Sequence, residues 1–171
     1  YAAGMVLNDV YDLDLDRLER PERPLPSGSI SPARALAVGN LLLAAAGASA
    51  CAVAVMAATP WPALVAAALT ATIWLYDRYA KGTVFGPAVM GSCRALNWLL
   101  GMTAAGGPTA ASEWAIPLGM GIYVAGITLF ARDEAGKSRR GTLMAGGVVM
   151  GAGLITAAGF VWLPLLDGVT R

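Results

Sequence analysis

The chain contains no histidine. That removes an imidazole general base, the usual catalytic triad and histidine metal ligation. Any metal must therefore rest on carboxylates, which suits a hard ion such as magnesium. Charge is scarce too: 13% of the 171 residues are Asp, Glu, Lys or Arg while 57% are apolar, far from the balance of a soluble domain. A net charge of +1 offers no basic stripe for nucleic acid. The two cysteines, Cys51 and Cys93, stand in apolar runs and read as small core residues, not as a disulfide. What these absences leave is an integral membrane protein forming one domain over 1–171, and its uncharged runs make it an all-α, multi-helix transmembrane bundle.

Uncharged runs give the spans, each needing roughly 20 mostly apolar residues. Ala35 to Tyr76 holds no charge and is divided by Thr59-Pro60-Trp61-Pro62, where prolines break the helix and tryptophan favours the membrane interface. Further spans are predicted from about Thr83 to Ala105, Trp114 to Ala131 and Gly141 to Pro164. The short apolar stretch from Tyr1 to Leu7, with no initiator methionine or signal peptide, reads as the tail of a helix in a fragment of a longer protein. Ten of the twelve basic residues fall in the loops around 17–34, 77–82 and 132–140, which these spans place on one side. The positive-inside rule makes that side cytoplasmic, in the cell's inner or plasma membrane.

The same loops hold the carboxylates. Asn8-Asp9-Val10-Tyr11-Asp12-Leu13-Asp14-Leu15-Asp16 packs four aspartates at a membrane helix end. On a helix, Asp9, Asp12 and Asp16 share one face, Asn8 sits at its edge and Asp14 points away. Like charges so stacked repel unless a cation sits among them. Oxygen ligands of this kind suit magnesium, which takes one or two carboxylates plus substrate phosphates. The next residues, Arg17 to Gly28, are basic and stiffened by Pro21, Pro24 and Pro26. Guanidinium groups match phosphate oxygens in a forked geometry, so the two segments together predict a diphosphate site. The plain reading of the basic loop is obedience to the positive-inside rule, which accounts for the arginines but not for the adjoining acids.

Asn8-Asp9-x-x-Asp12-x-x-x-Asp16, followed by Arg20-Pro21-x-Arg23-Pro24-Leu25-Pro26-Ser27-Gly28, resembles the first signature of the UbiA superfamily of membrane prenyltransferases. Tyr76 and Lys81 resemble that family's next patch. Gly91-Ser92-Cys93-Arg94-Ala95-Leu96-Asn97 resembles the EboC-like branch. The resemblance covers the chain from the end of the family's second helix through its seventh. It implies a nine-helix fold with a cytoplasm-facing cavity, Mg2+ as cofactor, an isoprenyl diphosphate donor and a hydrophobic acceptor, aromatic or lipid-like. On that pattern Asn8, Asp9, Asp12 and Asp16 hold the metal, and Arg20, Arg23 and Lys81 meet the diphosphate.

The family's second acidic motif is degenerate here: Asp133 matches its first position, but Lys137 replaces the second aspartate. Lys137 and Arg139 are therefore expected to bring positive charge to the diphosphate directly, with Asp133 contributing weakly. Inside the membrane, Arg94 and Asn97 share a helix face, and a buried arginine needs a partner or a wet cavity; the acidic face or the diphosphate is the expected partner. Tyr76 and Tyr123 are expected to line the cavity, where an aromatic ring stabilises a carbocation. Two other classes compete. A CDP-alcohol phosphotransferase would need Asp-Gly where Asp12 is followed by leucine. A transporter or lipid-binding protein that kept only the first motif is favoured by the weak second one.

Overall fold

A computed structural model describes residues 1–134 and 140–169. Among them there are helices and no strand. Helix α1 (Ala2–Tyr11) runs with only a slight irregularity at Asp12 into α2 (Leu13–Glu19), because Asp12 N–H still donates to Asn8 O at 2.9 Å and Asp16 N–H to Asp12 O at 2.8 Å. Pro21 ends this segment, since it can neither donate nor accommodate the preceding turn. The loop that follows is ordered by its own backbone: Ser27 N–H donates to Arg23 O at 2.9 Å and Ile30 N–H to Pro24 O at 3.1 Å. Gly28 sits at φ +79°, where a side chain would be strained.

Ser31 caps α3 (Pro32–Met56) by accepting from Arg34 N–H, with Pro32 at the first helical position. After the Pro60–Pro62 break come α4 (Trp61–Leu75), a π turn (Tyr76–Ala80) and α5 (Gly86–Ala104). A 3₁₀ turn (Ala111–Trp114) leads into α6 (Ala115–Glu134), and α7 (Arg140–Val169) closes the described chain. Among the described residues three segments, 32–56, 111–131 and 140–163, are long and apolar enough to cross a membrane. The α4 and α5 spans are shorter or carry Arg94.

From α3 to α7 each helix packs on the next in the chain, and α1 lies against α3. The outer face is apolar and open, with Leu41 70%, Val55 81% and Ile155 77% exposed. This is the inverse of a soluble core, as expected where lipid replaces water around the bundle. Small residues bring the helices together. A Cβ on Gly153 in α7 would lie 2.4 Å from the backbone nitrogen of Tyr123 in α6, and one on Gly39 in α3 would lie 2.7 Å from Leu7 of α1. Leu7, 1% exposed, is thereby locked against α3, which fixes the register of the acidic segment that follows it.

Candidate functional site

Helices α1, α4 and α5 enclose a cavity of about 490 Å³. Gly4, Met5 and Asn8 line it from one stripe of α1, Leu69 and Ile73 from α4, and Met90, Arg94 and Asn97 from α5. On each helix these residues fall one or two turns apart, Asn8 three and four after Met5 and Gly4, Ile73 four after Leu69, and Arg94 and Asn97 four and seven after Met90, as helical periodicity requires. Tyr76, Asp77 and Lys81 complete the end nearest the charged loops. The π turn makes that possible. On an α-helix Tyr76 and Lys81, five apart, would point about 140° from each other. The wider π turn, closed by Lys81 N–H donating to Tyr76 O at 3.0 Å, lets both reach the cavity.

The acidic face meets its cations here. Lys81 Nζ donates to Asn8 Oδ1 at 2.7 Å and also to Asp12 Oδ2, while Asn8 Nδ2 donates to Asp12 Oδ2 at 3.0 Å. The proline-stiffened loop folds back so that Arg23 donates to buried Asp16 at 2.8 Å and lies 3.6 Å from Asp9. The hydrogen bond to Asp16, with the charges of Asp16, Asp9 and Asp12, holds the Arg23 guanidinium still more firmly in its charged form. Asp14 stands apart: its side chain is 95% exposed and pairs with Arg17 at 2.9 Å. Arg20 is exposed and makes no ion pair among the described residues.

Sequence reasoning missed Asp77. Its carboxyl lines the cavity beyond the end of α4, and its Oδ2 is buried with no hydrogen-bond partner among the described residues. Burial pushes this carboxyl up to about 6, against the lowering influence of Lys81. A lone acid in a basic loop carries no motif. The available signal was its place beside Tyr76.

Other expected positions fall differently. Arg94 lies deeper than the acidic face and has no carboxylate within 4 Å among the described residues; its guanidinium sits 5.2 Å from the centre of the Tyr1 ring. Tyr123 does not line the cavity, because α6 lies on the far side of α5 and turns the Tyr123 backbone toward Gly153 of α7. The side chain of Asp133, and Lys137 and Arg139 altogether, lie outside the described residues.

The donor set is three motif carboxylates and an amide oxygen, with Asp77 close by. Among the described residues no three carboxylates converge tightly enough to cage an ion. Against these four carboxylates stand two cations, Arg23 and Lys81. Such a set fits magnesium arriving with waters and phosphate oxygens, which uses only one or two protein carboxylates.

A family model described as the UbiA prenyltransferase family matches residues 1–168. The chain belongs to the UbiA prenyltransferase family. Members of this family generally depend on a metal ion. Among curated UbiA-type relatives, digeranylgeranylglyceryl phosphate synthase of Halobacterium salinarum is 30% identical over 141 residues, covering 82% of this chain and 49% of that protein. Protoheme IX farnesyltransferase of Geobacter sulfurreducens is 37% identical over 152 residues, covering 81% of this chain and 52% of the relative. The chain thus spans about half the length of the curated relatives it matches. No solved structure matches it significantly.

Proposed function

We propose that this chain carries the donor half of a membrane prenyltransferase site, moving an isoprenyl group from an isoprenyl diphosphate to a hydrophobic acceptor. The observation that carries the reading is the convergence of Asn8, Asp12 and Lys81 with Asp9, Asp16 and Arg23 at the charged mouth of a cavity whose middle is apolar. Arg23, already oriented by two carboxylates, presents its free N–H groups to phosphate oxygens in forked geometry. Lys81 adds a point charge across from it. Asp9, Asp12 and Asp16, with Asn8, supply the oxygens for Mg2+. When bound, that ion neutralises charge on the diphosphate as the allylic carbon–oxygen bond breaks.

The isoprenyl chain lies along the apolar side chains of Met5, Leu69, Ile73 and Met90. Tyr76, buried at the boundary between the charged mouth and this apolar wall, places an aromatic ring beside the carbon that becomes cationic. The charged loops face the cytoplasm by the positive-inside rule, so the donor enters from that side.

The test is turnover of labelled geranyl, farnesyl and geranylgeranyl diphosphates by the intact protein in lipid vesicles, with Mg2+ and with a chelator. Pyrophosphate release and transfer of label into lipid-extractable product are expected with Mg2+ only, and both are lost in Asp12→Asn. Absence of release from every donor, in protein that still binds pyrophosphate, would refute prenyl transfer.

A further inference from the structure

The cavity has two polar ends. At the mouth, Lys81 and Asn8 are hydrogen-bonded to each other and to Asp12. Tyr1 lies seven residues before Asn8 on α1, about 10 Å deeper at 1.5 Å per residue. Arg94 reaches the same depth from the other wall. Helix α5 begins against the mouth, since a Cβ on Gly86 would lie 2.9 Å from Ala80 O, and Arg94 follows eight residues later, about 12 Å in. Gly4 touching Ile73 marks the apolar level between them. The two depths agree, and the guanidinium resting over the Tyr1 ring is the contact they require.

A guanidinium at this depth is costly unless an anion or a wet cavity meets it. Among the described residues no carboxylate does, and Asn97, one turn farther along the same stripe, also lacks a hydrogen-bond partner. The cation–π contact restrains the Arg94 side chain while leaving its N–H groups free to donate. At the mouth, Arg23 and Lys81 already answer the donor's diphosphate. An apolar stretch separates that charge from Arg94.

We infer that Arg94 and Asn97 form an oxyanion-recognition subsite for the acceptor, selecting molecules that bear a carboxylate, a phosphate monoester or a comparable anionic oxygen. The inference rests on the prenyl-transfer reading for the word acceptor, and on the geometry alone for the anion. An acceptor held there keeps its anionic group at the inner end and extends toward the donor carbon beneath the mouth. Neutral acceptors of the same length forgo the charge-assisted hydrogen bonds.

Octanoate and octanol, one chain with and without the charge, serve as probes, with inorganic pyrophosphate plus Mg2+ as a third ligand for the mouth. Binding is measured by calorimetry on the intact protein in nanodiscs. Wild type is expected to prefer octanoate. Arg94→Gln should weaken octanoate about tenfold or more, leaving octanol and pyrophosphate unchanged. Arg94→Lys, which keeps the charge without the fork, should fall between and serves if the glutamine variant does not fold. Equal binding of octanoate by wild type and either variant overturns the subsite. So does a parallel loss of pyrophosphate affinity, which would assign Arg94 to the donor. If no isoprenyl diphosphate turns over yet octanoate still depends on Arg94, the transfer reading fails and the anion subsite stands.

Discussion

Replacing Lys81 with methionine removes the cation that joins the second charged loop to the acidic helix end. The ammonium contacts Asn8 and Asp12, and the two charged side chains are 33% and 19% exposed. Exposed pairs contribute about 0.2–1 kcal/mol, whereas stranding a buried partner costs about 3–5 kcal/mol. This pair lies between those limits, so Lys81→Met should cost about 2 kcal/mol. For a chain of this size that corresponds to a midpoint lowered by about 4–8 °C. The assay is thermal unfolding of detergent-solubilised, metal-free protein. The decisive comparison is the double variant with Asp12→Asn. Most of the loss comes from leaving the Asp12 carboxylate unpaired, so neutralising it should recover at least half the lost midpoint. Purely additive losses in the double variant would show that Lys81 and Asp12 are not coupled, and the mouth of the cavity would have to be rebuilt without that contact.

Arg23→Lys keeps the charge and loses the fork, so Mg2+-pyrophosphate affinity measured by calorimetry should fall about tenfold; unchanged affinity would leave Arg23 a general electrostatic role. A cysteine replacing Ser29, in protein whose Cys51 and Cys93 are alanine, should react with impermeant maleimide only from the cytoplasmic side. Ser29 is exposed and nearly isosteric with cysteine, whereas Gly28 beside it stands at φ +79°. Asp77 should give metal-free protein a stability that declines as pH rises. Its folded value of about 6 exceeds the ordinary 3.8, so the native state binds the extra proton between those values. Stability is then greatest below about pH 4, falls through about pH 6 and levels off above it, by about 1 kcal/mol once solvent access is allowed for. Asp77→Asn should flatten that slope in thermal-unfolding midpoints.

The helices were legible because uncharged runs are bounded by residues with fixed backbone consequences: Pro21, the Pro60–Pro62 pair and Gly106-Gly107-Pro108. The acidic face was legible because i, i+3, i+7 spacing survives the slight irregularity at Asp12, and Asp14 does point to solvent. Periodicity did not reveal the partners. Lys81 meets Asp12 across 69 residues, through a π turn with no sequence rule to announce it. The sequence pairs Arg94 with the acidic face or with the diphosphate, but its depth on α5 depends on where Gly86 meets Ala80. Tyr123 lies on a helix with small residues on its packing face, and which neighbour that face takes is a tertiary fact.

The central claim is that one face of the acidic helix end, and not its bulk charge, binds metal and diphosphate. Asp12 and Asp14 are two residues apart with equal charge, yet Asp12 bonds Asn8 and Lys81 at the cavity mouth while Asp14 faces solvent against Arg17. Equilibrium binding of inorganic pyrophosphate with Mg2+ to Asp12→Asn and Asp14→Asn separates the two descriptions. A loss of about tenfold or more in Asp12→Asn, with Asp14→Asn matching wild type, is the predicted result. Equal losses in the two variants would contradict it.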